Sequence, residues 1–342
     1  MADTDRPSSR GARLEDIAER AGVSISTVSR ALNDSPAVKR RTKQEIWRIA
    51  REHDYDFRQS MPTGPAGAQA SIAIVVPAPQ ARKSHVADPF FFELLAGIAE
   101  AARDRSADLL ISYLSPRTAD DLEFALTTSR ATGVIFIGQS SLHNAFNALA
   151  KSDKRFVVWG AELPDAAYCS VGSDNLLGGK RATSHLIRLG RKRILFLGDT
   201  EAPEAEQRLK GYRDALISAD MAVENDLYAP AFFDVHSAEA ATHAVIDAGI
   251  EFDAVFAASD LIAIGAYRAL ARTGRRVPDD VSIVGYDNIP ASRLVTPPLT
   301  TIDQNAILAG RALVSKLIDS RGEMATPERV QTSLLIRESC GG

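Results

Sequence analysis

The segment LEDIAERAGVSISTVSRALN, residues 14–33, constrains this chain more than any other stretch, because it writes two short helices around one tight turn. Leu14, Ile17, Ala18 and Ala21 fall on one helical face, and Gly22 stands where that helix must end in a left-handed residue. Ser24 offers an oxygen to the unpaired N–H groups that open a second helix, and Val28 and Leu32, one turn apart, form its inward stripe. Ile25, Ser26, Ser29 and Arg30 are left facing out.

An ordinary helical hairpin can carry the same spacing, so the spacing alone leaves both readings open. Charge adds a second constraint. Residues 20–51 hold Arg20, Arg30, Lys39, Arg40, Arg41, Lys43, Arg48 and Arg51 against only Asp34 and Glu45, in a chain whose formal charge is −4. A positive field confined to one small module suits neutralisation of nucleic-acid phosphates. Val38 opens the third helix of that module, with Ile46, Ile49 and Ala50 as its apolar stripe, and Trp47 reads as a rim residue that packs locally.

The chain has 342 residues, 45% of them hydrophobic and 25% charged, which is material for two or three domains. The first thirteen residues lack an apolar targeting segment, and no run approaches the ~18 residues of a membrane span, so a cytoplasmic protein is expected. Cys169 and Cys340 lie far apart without metal-ligand spacing, so both read as unpaired thiols and no metal or cofactor is expected.

MPTGPAGAQA, residues 61–70, reads as a linker. Beyond it, short β-branched runs at 71–76, 108–113, 133–137, 155–159, 193–198, 254–258 and 281–286 alternate with helical patterns. That order predicts right-handed βαβ units and an α/β fold with doubly wound parallel sheets, and 71–342 is long enough for two such lobes. Ligands of such sheets bind at the carboxyl ends of the strands, so the cleft between the lobes is the expected ligand site.

The wording AGVSxxTVSRxLN, followed by a third helix and a long α/β region, resembles the LacI/GalR family of bacterial transcriptional regulators over nearly the whole chain. The resemblance implies a three-helix helix-turn-helix headpiece over 13–58, a linker over 59–70, and a core over 71–342 like that of periplasmic sugar-binding proteins. The chain would cross between lobes near 172, 302 and 328. Lobe one would then be about 71–172 plus 303–328, and lobe two about 173–302 plus 329–342, with 330–338 a strand of the second. The implied function is a homodimeric repressor, a tetramer being left open, that binds a pseudo-palindromic double-stranded DNA operator under control of a small-molecule effector, a sugar or glycoside. No membrane partner is expected.

For DNA, Arg30 can give two hydrogen bonds to a guanine, with Ser26 and Ile25 adding a polar and a methyl contact. Thr27, Ser29 and Asn33 are assigned to phosphates, and Leu14, Ser24 and Arg41 complete the candidate set. For the effector, DPFFFELLAGI implies Asp88, Phe90 and Phe91, and SDNLLGG implies Asp174 and Asn175. EQRLKGY implies Arg208, FFDVHSA implies Phe233 as a stacking aromatic, AASDLIAIGA implies Ser259 and Asp260, and VGYDN implies Asp287. Asp260 could equally be a helix N-cap and Asp174 a structural residue at a crossing. Phe92 is expected in the core, while Leu94, Leu95 and Ile98 fit either a dimer face or the core. Removing Arg208 or Asp287 is expected to abolish ligand response and leave folding intact.

The sequence offers no G-x-S-x-G elbow, no H-E-x-x-H and no G-x-G-x-x-G after the first strand of either lobe. GGKRAT, residues 178–183, fails as a phosphate loop because Asp174 stands where glycine is needed and Arg181 follows Lys180. His185 and His236 read as packing or surface residues. A regulator, an α/β enzyme fused to a headpiece, and a transport-type binding protein therefore remain as readings, with the regulator favoured and no catalytic residue assigned. One departure from the family is plain. Its members carry a hinge helix with a minor-groove leucine after the headpiece, but here Gly64 matches that position among Pro62, Pro65 and Gly67, so a weaker DNA bend is expected, with Met61 as the one substitute wedge.

Overall fold

The computed structural model describes residues 13–32, 35, 37–53, 70–77, 88–129, 131–139, 141–320 and 325–341. Asn33, Met61, Pro62, Gly64, Pro65 and Gly67 lie outside them, and with them nearly all of the linker.

Three helices form the N-terminal module: α1 (Leu14–Ala21), α2 (Ile25–Leu32) and α3 (Arg40–Glu52). Gly22 ends α1 at φ 63°, ψ 33°, a left-handed conformation that costs glycine no Cβ clash. Ile17, Val28, Ala31, Ile46 and Ala50 are fully buried between the helices, and each Ile or Val so buried contributes about 1.5–3 kcal/mol. Trp47 belongs to this core rather than to a rim: it is 3% exposed and its Nε1 donates to the Ala31 carbonyl at 3.3 Å. A large ring in so small a module supplies area that its short helices otherwise lack.

The first lobe is a six-stranded parallel sheet in the order β11-β5-β4-β3-β1-β2. Its strands are β1 (Ser71–Val75), β2 (Asp108–Ile111), β3 (Gly133–Ile137), β4 (Phe156–Trp159), β5 (Ser170–Ser173) and β11 (Glu328–Val330). Alternate residues point to opposite faces, and both faces are covered. Ile72, Ile74, Ile135 and Val157 pack with α4 (Pro89–Asp104) and α11 (Ala306–Asp319). Ala73, Val75, Val134, Phe136 and Val158 pack with α5 (Ala119–Thr128) and α6 (His143–Ser152).

The second lobe repeats the plan in the order β12-β10-β9-β8-β6-β7, with only β12 antiparallel, against β10. Its strands are β6 (Ile194–Leu197), β7 (Tyr228–Ala229), β8 (Ala254–Ala257), β9 (Ser282–Asp287), β10 (Thr300–Asp303) and β12 (Ser333–Leu335). Its helices are α7 (Asn175–Arg188), α8 (Pro203–Ser218), α9 (Val235–Asp247) and α10 (Asp260–Arg272). In both lobes helices pair backbone to backbone at glycines. A Cβ on Gly97 would strike the Ile307 carbonyl, one on Gly310 the Leu94 carbonyl, one on Gly179 the Arg208 carbonyl and one on Gly211 the Leu176 carbonyl.

The chain passes between the sheets after β5, after β10 and between β11 and β12. The single strand expected over 330–338 is therefore two: residues 328–330 pair with β5 in the first sheet, and 333–335 pair with β10 in the second. The break has a cause at Thr332, whose carbonyl and hydroxyl are both taken by the Arg181 guanidinium from α7 instead of by a strand partner. Phe92 corrects a second expectation, being 56% exposed, whereas Phe91 is 4% exposed and Leu94 and Ile98 are fully buried in the first lobe's core. No helix among the described residues is long and apolar enough to cross a membrane.

Candidate functional site

On α2 the residues expected to face DNA do face outward. Ile25 is 46% exposed, Ser26 and Arg30 are exposed, and Thr27 and Ser29 are half-buried. Ser24 caps the helix, its Oγ accepting from the Thr27 N–H at 3.2 Å. Arg30 lies back along its own helix, donating from Nε to the Ser26 carbonyl and from Nη2 to Ser26 Oγ, both at 3.0 Å. Leu14 packs half-buried against the headpiece core. Arg41 is exposed on α3 and shares a cavity of about 570 Å³ with Arg48, Asp120 and Glu123, the last two from α5.

The second polar constellation sits at the carboxyl ends of the second sheet's strands. Arg208, on α8 and 3% exposed, donates from Nε to Asn175 Oδ1 at 2.8 Å and from Nη1 to the Ala258 carbonyl at 2.5 Å. Its guanidinium lies 3.7 Å from the Tyr286 ring centroid and 3.8 Å from Asp287 Oδ1. Asp287 closes β9 with φ 113°, a region that non-glycine residues rarely occupy. Burial pushes its carboxyl well above the ordinary range; Arg208 opposes that shift, while Asp260 and Asp88 add to it. Asp88 belongs to the first lobe, where it caps α4 by accepting from the Phe90 N–H at 2.9 Å.

Other candidates have structural duties. Asp260 is not the N-cap of α10; Ser259 is, accepting from the Ile262 N–H at 3.2 Å. Asp260 is fully buried one residue further on, where its two oxygens accept from the Ile289 N–H at 2.9 Å and from Thr301 Oγ1 at 2.6 Å. It ties the loop after β9 to β10, and burial pushes its carboxyl up to about 7. Asp174 caps α7 at the first lobe crossing, accepting from the Leu177 N–H at 3.0 Å. Phe91 lies in the first lobe's core, Phe90 packs on Trp159 with ring centroids 5.5 Å apart, and Phe233 packs half-buried on the second lobe's core.

Three residues of the constellation were not singled out by the sequence, although Ser173 opens the SDNLLGG motif. Gln304, just past β10, donates from Nε2 to Asp287 Oδ1 at 2.5 Å and accepts from Ser173 Oγ at 2.7 Å. Ser173 and Gln304 thereby join two of the three crossings. Glu204 lies one turn before Arg208 on α8, where burial raises its carboxyl and Arg208 opposes the shift. The i, i+4 spacing from Arg208 was the available signal for Glu204; Gln304 had none, because its partners come from distant elements.

A three-helix DNA-reading module carried on a two-lobed binding core is the architecture of a DNA-binding regulator. Residues 13–56 match the family model of bacterial regulatory proteins of the lacI family, and residues 183–340 match that of a periplasmic binding protein-like domain. The chain is 32% identical over 333 residues to the HTH-type transcriptional regulator CelR of Thermobifida fusca, covering 95% of this chain and 97% of that protein. It is 30% identical over 311 residues to the HTH-type transcriptional repressor CytR of Escherichia coli strain K12, covering 90% and 89%. Among solved structures, the CelR–cellobiose complex matches with TM-score 0.69 and 29% identity over 96% of this chain and 99% of that one. The lac repressor dimer bound to operator and the anti-inducer ONPF matches in fold with TM-score 0.70 at 24% identity, over 97% and 99%. The chain belongs to the LacI family of bacterial transcriptional regulators, a family of DNA-binding proteins and not of enzymes.

Proposed function

We propose that this regulator is a homodimeric, cytoplasmic repressor whose operator affinity is set by a sugar or glycoside held between the lobes. The observation that carries the reading is the buried Arg208–Asn175–Asp287 cluster and its hydrogen-bonded continuation through Gln304 to Ser173. A carboxylate accepts from two neighbouring hydroxyls and a guanidinium donates to them, while aromatic faces cover the apolar side of a sugar ring. Asp88, Phe90, Asn175, Arg208, Phe233 and Asp287 form the proposed ligand set, supported by Asp174, Ser259, Asp260 and Phe91 behind them. The relative solved with cellobiose supports a saccharide effector.

Ile25, Ser26 and Arg30 are the proposed base-reading residues; Leu14, Ser24, Thr27, Ser29, Asn33 and Arg41 orient the helix on the backbone. The headpiece over 13–58, the linker over 59–70 and the core over 71–342 are the proposed units. One headpiece buries only roughly 600–1,000 Å² on DNA, so two must be joined for operator affinity. The exposed apolar edge formed by Leu110 and Ile111 of β2, with Tyr113 beyond it and Phe92 on α4, is the proposed dimer face.

Fluorescence anisotropy of a labelled pseudo-palindromic operator, titrated with the full chain in the presence of cellobiose, glucose or ribose, tests the reading. One of these sugars should change the operator Kd about tenfold or more and raise the melting temperature. If none did either, the sugar-gated reading would be wrong.

A further inference from the structure

We infer that the outward face of α5 is a seat for the chain's own headpiece, and that α3, when it rests there, competes with DNA for the same arginines. The inference rests on the assignment of Arg41 to the DNA backbone and adds to it an intramolecular partner for the headpiece.

Two matching helical stripes meet at this place. Asp120, Glu123, Phe124 and Thr127 recur at i, i+3, i+4 and i+7 and so share one face of α5. Leu122, Ala125 and Leu126 enter the first lobe's core from the opposite face. Arg41, Gln44, Glu45 and Arg48 repeat the spacing on α3, opposite the Ile46, Ile49 and Ala50 stripe that closes the headpiece. The helices pack together here, and the two stripes line one space of about 570 Å³ between them.

Phe124 marks the contact as more than proximity. An aromatic ring on the outward face of a surface helix is expected in water, but Phe124 is 8% exposed and belongs to neither buried cluster of its own lobe. It lies where α3 comes down on α5. Charge agrees with that arrangement: α5 carries Asp120, Asp121 and Glu123 and no base, while the α3 stripe carries two arginines and one acid, Glu45, which Arg48 binds at 2.6 Å.

The contact is built to be released. A permanent interface packs to the density of a protein interior, whereas here an open space remains and Arg41 and Arg48 keep contact with water at its rim. A phosphate backbone needs the same guanidinium groups and would meet the carboxylates of Asp120 and Glu123 beside them. The base-reading face of α2 takes no part in lining this space. Seating the headpiece therefore lowers affinity for every DNA sequence alike.

The test uses the full chain and a labelled random-sequence duplex of about 30 base pairs at low salt. Phe124→Ala, and separately Asp120→Asn combined with Glu123→Gln, should each bind it about threefold to tenfold more tightly than the unaltered chain, because no seated fraction counts against binding. Phe124→Ala changes no charge, so its gain cannot come from reduced repulsion of the duplex. Gln44→Cys combined with Thr127→Cys, joined by a short bismaleimide, should bind at least tenfold more weakly than the same chain left unjoined. Cys169 and Cys340 are buried and do not compete for the reagent. Unchanged affinity in both releasing variants, or equal affinity of joined and unjoined chains, would overturn the seat and leave the DNA assignment standing. Failure to join, or joining only between two chains, would overturn it as well. An Arg41→Ala chain that bound the duplex as tightly as the unaltered one would remove Arg41 from the DNA backbone, and the competition with it.

Discussion

Gln304 donates from Nε2 to Asp287 Oδ1 at 2.5 Å while its own Oε1 accepts from Ser173 Oγ at 2.7 Å. One amide thus connects the carboxylate at the end of β9 to two of the three segments that cross between the lobes. It also steadies a stretch in which Asp287 and the following Asn288 both have positive φ, 113° and 57°. Gln304→Ala should weaken effector binding about tenfold and reduce the effector's influence on operator Kd, with operator affinity in the absence of sugar retained. Paired anisotropy titrations with and without sugar measure both.

Arg208 is more than a ligand contact. With the guanidinium 3% exposed and its charge opposed by Asp287, Arg208→Ala strands a buried carboxylate and should cost about 3–5 kcal/mol of stability, against the expectation that folding would be untouched. Urea unfolding monitored by circular dichroism checks this. Asp287→Asn, which keeps the shape and one acceptor, should be milder in stability while still impairing effector binding.

Asp260 makes stability depend on pH. Its carboxyl moves from an ordinary 3.8 up to about 7 in the folded chain, so between those values the folded state holds a proton that the unfolded state has lost. The contribution is complete below the unfolded value and disappears as pH rises through about 7. Burial displaces Asp287 and Glu204 in the same direction; His185, pushed below its ordinary 6.5, has the opposite slope on the acid side. Asp260→Asn can keep both hydrogen bonds, its oxygen facing the Ile289 N–H and its amide the Thr301 hydroxyl. The melting temperature of the unaltered chain should therefore fall relative to that of Asp260→Asn as pH rises from about 4 to about 7 and level off above that. Parallel profiles would contradict the assignment.

Arg30 must leave Ser26 to reach a base, exchanging two hydrogen bonds along its own helix for two to a guanine. Arg30→Ala should cost about 1–3 kcal/mol per half-site and relax the preference for one base pair. Arg41→Ala should weaken all sequences alike and lower the salt slope by about one. Operator selection from a randomised pool at two salt concentrations separates the two outcomes.

Tyr113 is 79% exposed and Ile111 60%, on the open edge of the first sheet. A charge on that edge should oppose self-association, so Ile111→Asp should sediment as a monomer and bind the operator at least tenfold more weakly. Its melting temperature at low concentration should be nearly that of the unaltered chain.

Residues 14–32 were readable because the turn glycine, the capping serine and the helical period all pointed to one local answer. The apolar strands were equally plain. Ser170–Ser173 and Thr300–Asp303 were not, because these short polar runs become strands through pairing with β4 and β9. Phe90, Phe91 and Phe92 could not be told apart by type; their phase relative to Leu94 and Ile98 places Phe91 inward and Phe92 outward. Glu204 and Gln304 acquire their meaning from elements far away in the chain.

The glycines at which α4 meets α11 and α7 meets α8 leave each lobe with almost no slack. Helices in backbone contact cannot slide or tilt without collision, so neither half can absorb a ligand by yielding internally. A molecule bound between two such stiff bodies would find its mechanical freedom in the three segments of chain that join them, where a small local change would swing a whole lobe.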